Sequence, residues 1–197
     1  WSMGTGAADD TTESQVIELD NGQLMLNCRY NRDRTRVVVT SDDMGTTWKE
    51  HSTSRRNLIE PGACMASLIN VNRELAWRGL VPKNDQSILL FSNPNSLNGR
   101  NHITIKASLD NGETWPHQTQ LLLDEEPGRG YSCMSMIDAE TVGILYEGSQ
   151  ADMTFQSVKL KDILSPPLLK KTANPKLSLS PLPSEQVNLK QATSLAV

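Results

Sequence analysis

The sequence is poor in several features that would indicate particular classes of protein. Only three of its 197 residues are cysteine, and Cys28, Cys64 and Cys133 lie far apart without Cys-x-x-Cys or Cys/His spacing. This spacing gives no indication of a zinc site and predicts free, mostly buried thiols. The apolar runs are strand-sized, far short of the ~20 residues of a membrane-spanning helix. Basic residues are not in excess, since 19 Lys and Arg stand against 23 Asp and Glu. The sequence therefore has no excess of positive charge that would attract a nucleic acid.

Helical periodicity is also lacking between Gln15 and Leu160. This span contains short β-rich runs separated by Gly, Asn and Asp clusters, which predicts an all-β sandwich, barrel or propeller. Examples are VIEL at 16–19, RVVVTS at 36–41, HITIKAS at 102–108 and VGILYE at 142–147.

The composition changes at about residue 165 to Pro, Leu, Lys and Ser, and repeated prolines do not fit central strands. We therefore expect a β domain over residues 1–164 and a tail or linker over residues 165–197. The chain starts at Trp1 without a leader, so we expect its N-terminus to be an interior cut.

An eight-residue pattern, S-x-D-x-G-x-T-W, occurs twice, each time after a β-rich run. The pattern predicts a hairpin turn in which Asp binds turn amides, Gly takes a positive φ and Trp covers the turn. We interpret these residues as structural rather than chemical. They are Ser41, Asp43, Gly45, Thr47 and Trp48 in the first copy, and Ser108, Asp110, Gly112, Thr114 and Trp115 in the second.

This repeat is the Asp-box, and the chain resembles the bacterial sialidase (neuraminidase) family of glycoside hydrolases, which carries such BNR repeats. The resemblance runs from about Glu13 to Phe155 and corresponds to the C-terminal half of the catalytic domain. It implies a six-bladed β-propeller with about three consecutive blades in this chain, and Asp-boxes between the third and fourth strands of a blade. The blades would cover residues 13–52, 63–122 and most of a third at 131–160.

Four further segments resemble those that carry the family's functional residues. They are ESQVIELDNG with LMLNCR at 13–29, SNP at 92–94 leading to Arg100, GYSC at 130–133, and VGILYE at 142–147. The resemblance implies that Glu13 is the catalytic glutamate, Tyr131 the nucleophile, and Arg29 and Arg100 two arginines of a substrate-binding triad. Glu147 would orient the remaining arginine, which has no counterpart here, and the acid/base aspartate is also missing.

The spacing of these residues is consistent with one site. A three-residue loop at Asp20-Asn21-Gly22 would pair Leu19 with Gln23 and place Glu13 opposite Arg29. Tyr131 and Glu147 likewise bracket a hairpin around Ala139-Glu140. We expect the carboxyl of Glu13 to lie ~2.6–3.2 Å from the hydroxyl of Tyr131, because the phenol needs a base.

Sialic acid carries a carboxylate on its anomeric carbon, which suits the planar guanidiniums of Arg29 and Arg100. An anionic nucleophile would be repelled by this carboxylate, whereas a neutral tyrosine deprotonated by Glu13 can attack.

Two functions remain open at the level of sequence. One is an exo-acting, retaining sialidase that needs neither metal nor cofactor and acts on sialylated glycoconjugates, with N-terminal blades of the same protein completing the site. The other is a non-catalytic Asp-box propeller module that binds glycan or protein. The resemblance further implies a periplasmic or extracellular location. Cys64 is expected to be a core residue of a buried strand.

Overall fold

The computed structural model describes residues 3–82 and 86–165, and these residues form three antiparallel sheets. Apart from Ser165, the expected tail at 165–197 lies outside the described residues.

The first sheet follows chain order, with each strand antiparallel to the next. Its strands are β1 (Thr11–Glu18), β2 (Leu24–Tyr30), β3 (Val37–Ser41) and β4 (Lys49–Glu50). The loop between β1 and β2 has the expected three residues: the Leu19 amide donates to the Gln23 carbonyl at 2.8 Å, and Gly22 has a φ of +85°.

The second sheet is also a four-stranded meander and is buried on both faces. Its strands are β5 (Ser67–Asn70), β6 (Leu89–Pro94), β7 (Ile103–Ser108) and β8 (Gln120–Asp124), with a short 3-10 helix (His117–Thr119) before β8. Side chains alternate along β6, so Leu89 and Phe91 pack towards the first sheet while Leu90 packs on the other face. This two-sided burial explains the continuous apolar run at 89–91 in the first half of the strand.

The third sheet has three strands in the order β11-β10-β9. They are β9 (Ser132–Asp138), β10 (Thr141–Tyr146) and β11 (Thr154–Lys159). The hairpin predicted around Ala139-Glu140 joins β9 to β10. Met136 and Ile144 of this sheet share a buried cluster with Leu90 and Ile105 of the second sheet. The hydrophobic core therefore lies in layers between neighbouring sheets.

The sequence pattern missed a helix inside the β region. Helix α1 (Val71–Trp77) follows β5 directly, and the Asn70 side chain caps it by accepting from the Arg73 amide at 3.2 Å. Only Val71 and Leu75 of α1 are buried, so the helix shows a single i,i+4 repeat and no longer periodicity. Helix α2 (Leu160–Leu164) follows β11. No helix among the described residues is long and apolar enough to cross a membrane.

Both Asp-boxes form the predicted turn, and each joins the third strand of its sheet to the fourth. In the first, the carboxylate of Asp43 accepts from the Thr47 amide at 2.8 Å and the Thr47 hydroxyl at 2.7 Å. In the second, Asp110 accepts from the same two groups of Thr114 at 2.9 and 2.5 Å. Gly45 and Gly112 have φ values of +85° and +89°. The two turns are built by matching hydrogen bonds.

Candidate active site

Glu13 lies at a β-bulge in β1. Thr12 pairs with Arg29 and Ser14 with Cys28, so Glu13 is the extra residue between them, with a φ of +36°. The expected pairing of Glu13 directly opposite Arg29 is therefore wrong by one position. A bulge redirects the side chain that it carries. The carboxylate of Glu13 nevertheless forms an ion pair with Arg29.

Tyr131 lies just before β9 and meets Glu13 across the site. Its hydroxyl donates to Oε1 of Glu13 at 2.7 Å, within the distance expected from the sequence. Nη1 of Arg29 lies 3.4 Å from the same hydroxyl oxygen. The three side chains come from two sheets and form one cluster.

Arg100 lies against the face of the Tyr131 ring. Its guanidinium carbon is 5.3 Å from the ring centroid, a distance suited to a cation–π contact. Nη1 donates to the carbonyl of Arg129 and Nη2 to that of Ala63, each at 2.8 Å. A guanidinium has five N–H groups, so donors remain for a further ligand.

Gly130 lets Arg100 and Tyr131 approach each other. Its φ is +89°, and a Cβ at this position would lie 2.8 Å from Cγ of Pro94 and 3.1 Å from Cβ of Arg100. A side chain here would therefore displace Arg100.

Glu147 lies opposite Tyr131, as the hairpin spacing predicts. The Glu147 amide donates to the Tyr131 carbonyl at 2.9 Å, and the Glu147 carboxylate accepts from the Tyr131 amide at 3.4 Å. Within the described part of the chain, this carboxylate has no ion-pair partner within 4.0 Å.

The hydrogen bond between Tyr131 and Glu13 defines the resting protonation state. Burial raises the pKa of Glu13, but the hydrogen bonds from Tyr131 and Arg29 outweigh burial and hold this pKa below its usual value. The hydrogen bond to Glu13 also raises the pKa of Tyr131. At neutral pH the site therefore holds a carboxylate that accepts from a neutral phenol.

The loop formed by residues 61–66, between β4 and β5, was not identified as part of the site from the sequence. Cys64 is buried as expected, but it belongs to this loop and not to a strand. Its thiol lies 3.5 Å from the Gly130 carbonyl oxygen. Pro61-Gly62 marks a turn in the sequence, but nothing in the sequence shows which side chains the loop meets. In the described residues, no group of three or more His, Cys, Asp or Glu side chains is arranged to hold a metal ion.

A family model and several curated proteins match this chain in sequence. A family model described as a BNR repeat-like domain matches residues 1–146. The sialidase of Bacteroides fragilis (strain YCH46) is 53% identical over 164 residues, which cover 83% of this chain and 29% of that protein. The sialidase of Micromonospora viridifaciens is 32% identical over 149 residues, which cover 75% of this chain and 22% of that protein.

Among solved structures, the Hadza microbial sialidase Hz136 is similar with a TM-score of 0.72 at 53% identity. The match covers 81% of this chain and 30% of that structure. The chain thus spans less than a third of the length of each of these three proteins. Its family match, its all-β antiparallel sheets and its sequence identity to sialidases agree, so the chain belongs to the BNR repeat-like domain family, as a relative of the bacterial sialidases.

Proposed function

We propose that this chain forms the part of an exo-acting, retaining sialidase that carries the nucleophile. In this proposal its three sheets are consecutive blades of a six-bladed β-propeller. The observation that carries the proposal is the 2.7 Å hydrogen bond from the Tyr131 hydroxyl to Glu13, with two arginines beside it.

The proposed reaction begins at the anomeric carbon of a terminal sialic acid. The oxygen of Tyr131 forms a bond to this carbon while the glycosidic C–O bond breaks, and the phenolic proton passes to Glu13. The leaving oxygen takes a proton from the acid that the N-terminal blades would supply. Water then gives a proton back to that group as it attacks the anomeric carbon, the bond to Tyr131 breaks, and Glu13 returns the phenolic proton to the tyrosine oxygen. Two displacements on the same carbon retain its configuration.

Arg29 and Arg100 are the reason for proposing a substrate that carries a carboxylate. Arg29 and Arg100 place two permanent positive charges beside the Tyr131 hydroxyl and ring, where the substrate carboxylate would bind. A neutral nucleophile suits this position because a carboxylate nucleophile would be repelled by the substrate. The partner is therefore a sialylated glycoconjugate.

The proposal also needs groups that the described residues do not supply. A third arginine and the acid that protonates the leaving oxygen would come from N-terminal blades of the same protein. In this proposal the carboxylate of Glu147, which has no ion pair among the described residues, would orient that arginine. A periplasmic or extracellular location is part of this proposal and is supported by the resemblance alone.

The experiment uses the complete protein, with its N-terminal blades, and an aryl sialoside as substrate. The wild-type protein should release the aryl alcohol, and Tyr131→Phe should lower kcat by at least ~10²-fold because the nucleophilic oxygen is gone. Proton NMR of the first sialic acid released should show the α-anomer.

Tyr30→Phe is the matched control, since it removes a phenol hydroxyl from β2 outside the cluster of Glu13, Arg29 and Tyr131. It should leave kcat near the wild-type value. Full activity of Tyr131→Phe would disprove the assignment of the nucleophile. Glycan binding without turnover by the wild-type protein would favour the non-catalytic propeller module instead.

A further inference from the structure

Arg36 and Glu60 form an ion pair whose side chains are both 0% exposed. Nη1 of Arg36 lies 2.7 Å from Oε2 of Glu60, and Nε donates to Oδ1 of Asn27 at 2.8 Å. Neither residue belongs to the cluster of Glu13, Arg29, Arg100 and Tyr131. The pair lies at the base of the loop formed by residues 61–66.

Arg36 holds this loop by its main chain. The same Nη1 that contacts Glu60 also donates to the Cys64 carbonyl at 2.8 Å. Glu60 is fixed in turn, because its amide donates to the Arg34 carbonyl at 3.0 Å. One guanidinium, on the residue before β3, therefore binds both the residue that precedes the loop and the middle of the loop.

The loop backbone takes a conformation that costs free energy. Gly62 has a φ of +83° and Ala63 a φ of +57°, so two consecutive residues are left-handed. A non-glycine residue in this region persists where its surroundings hold it, and such residues cluster at functional sites. Ala63 directs its carbonyl to Nη2 of Arg100 at 2.8 Å.

The other side of the loop contacts the segment that carries Tyr131. The Cys64 thiol donates to the Gly130 carbonyl at 3.5 Å, and Cys64 is 0% exposed. The loop thus touches Arg100 through Ala63 and the residue before Tyr131 through Cys64. Arg36 is connected to both contacts, because it binds the carbonyl of Cys64, the residue that directly follows Ala63.

We propose that Arg36 and Glu60 are positioning residues: they fix the 61–66 loop and, through it, the guanidinium of Arg100 and the approach of Tyr131. This inference rests on the proposed sialidase function. Neither residue touches substrate in this scheme. Their effect passes through the carbonyl of Ala63 and the thiol of Cys64.

Stability alone does not explain a fully buried ion pair. Removing two charges from water costs several kcal/mol per ion, and replacing such a pair with apolar residues of similar size is often neutral or stabilising. Burial indeed raises the pKa of Glu60, against the opposing charges of Arg36 and Arg29. Apolar residues would fill the space but donate nothing to the Cys64 carbonyl. What the pair adds is a fixed position for the loop.

The test replaces both charges at once in the complete protein, as R36M/E60L, so that neither partner of the pair is left buried without the other. Thermal unfolding of this variant should match or exceed that of the wild type. With an aryl sialoside, KM should rise by ~10-fold or more and kcat should fall, because a displacement of about 1 Å at a reacting group can cost ~100-fold. Affinity for free sialic acid, measured by calorimetry, should fall with the rise in KM.

Two further variants separate positioning from folding. Ile163→Ala opens a cavity in the core between the second and third sheets, at a side chain that is 0% exposed and remote from the loop. It should lower the unfolding temperature while KM stays at the wild-type value. Arg36→Lys keeps one charge for Glu60 but lacks the fork that also reaches Asn27 and Cys64, so its KM should lie between those of the wild type and R36M/E60L.

Wild-type kinetics for a stable R36M/E60L would overturn the positioning role and leave the proposed function standing. A rise in KM for Ile163→Ala equal to that of R36M/E60L would also overturn it, since any loss of stability would then suffice. Absence of turnover in the wild-type protein would instead count against the proposed function itself.

Discussion

Glu13 combines a φ of +36° with a partly buried ion pair to Arg29 and a hydrogen bond to Tyr131. A non-glycine residue in this region costs about 1–3 kcal/mol of backbone strain. The bulge that imposes the strain also turns the carboxylate towards the phenol. The position of Glu13, the proposed base, is therefore accompanied by local backbone strain.

Lys106 shows the cost of burying a single charge. It lies in β7, is 2% exposed, and donates from Nζ to Oδ1 of Asn93 at 3.0 Å. Burial, together with the Arg36 charge, lowers the pKa of Lys106 from its ordinary value of 10.5 to about 7, and the Glu60 charge opposes this change. The folded protein therefore binds a proton at this site less tightly than the unfolded chain does.

We predict that Lys106→Met stabilises the protein, most strongly below pH 7. Below about pH 7 Lys106 is charged in both the folded and the unfolded state, so the full penalty of burying the charge applies. From pH 7 to 10.5 the unfolded chain binds more protons, so wild-type stability rises with pH and the advantage of the variant declines. At pH 6 the gain should be about 2 kcal/mol after the loss of the Asn93 hydrogen bond.

Urea unfolding of both proteins between pH 6 and 9.5 measures this difference. Lys49→Met is the control, because the Lys49 side chain is 75% exposed, and its effect should not change over this range. A Lys106→Met effect that is constant with pH would show that Lys106 titrates normally in the fold.

Each Asp-box turn connects the third strand of its sheet to the fourth. In each box the Ser hydroxyl donates to the Asp carboxylate, at 2.9 Å in the first copy and 2.7 Å in the second. The same hydroxyl accepts from the Gly amide at 2.8 Å in both copies. Trp115 then packs edge-on against Phe91, with ring centroids 5.9 Å apart. The eight residues of the Asp-box therefore both form the hydrogen bonds of the turn and supply a side chain to the core.

Asp110→Ala should lower the free energy of unfolding by about 1–2 kcal/mol at pH 7, because the Thr114 amide and hydroxyl lose their acceptor. Burial raises the pKa of Asp110, but hydrogen bonds from Thr114 and Ser108 outweigh burial and leave the pKa below 3.8. The contribution of the carboxylate is therefore complete above pH 3.8 and is lost as pH falls through the lower folded-state pKa.

Denaturant unfolding at pH 7 and below pH 3 checks both parts of this prediction. Asp152→Ala, at a side chain that is 96% exposed, should change stability little at either pH. In the complete protein, Asp110→Ala should leave KM for an aryl sialoside unchanged. A large rise in KM at unchanged stability would contradict the structural role of the box.

Several large apolar side chains among the described residues are exposed to solvent. Trp77 of α1 is 87% exposed, Val16 of β1 is 58% exposed and Phe155 of β11 is 63% exposed. The third sheet has three described strands where the other two sheets have four. Both features are consistent with the proposal that further blades of the same protein pack against this chain.

We predict that the 197-residue chain alone turns over an aryl sialoside at least ~10²-fold more slowly than the complete protein, because a general acid contributes ~10²–10⁴-fold and an arginine would be missing as well. Steady-state assays of the two proteins at equal concentration measure the ratio. Circular dichroism of the isolated chain must show β structure for the comparison to hold. Equal rates would contradict the view that other blades complete the site.

Features that depend on neighbouring residues could be predicted from the sequence. The Asp-box residues, the three-residue loop at Asp20-Asn21-Gly22 and the hairpin at Ala139-Glu140 appear where they were predicted, because turn chemistry is local. The pairing of Tyr131 with Glu147 followed from counting residues along one hairpin. The meeting of Glu13 with Tyr131 was expected only because four segments together resembled one family.

Features that depend on packing between distant segments could not be predicted and are visible only in the folded protein. The bulge at Glu13 shifts a register that residue counting could not resolve, and α1 is too short for its periodicity to be visible. Nothing in the sequence marks the charges of Arg36, Glu60 and Lys106 as buried, since a charged side chain is buried only where partners from distant segments meet it. The contacts of the 61–66 loop with Arg36 and Arg100 could not be predicted for the same reason. Its carbonyls gain their partners only once the sheets are packed together.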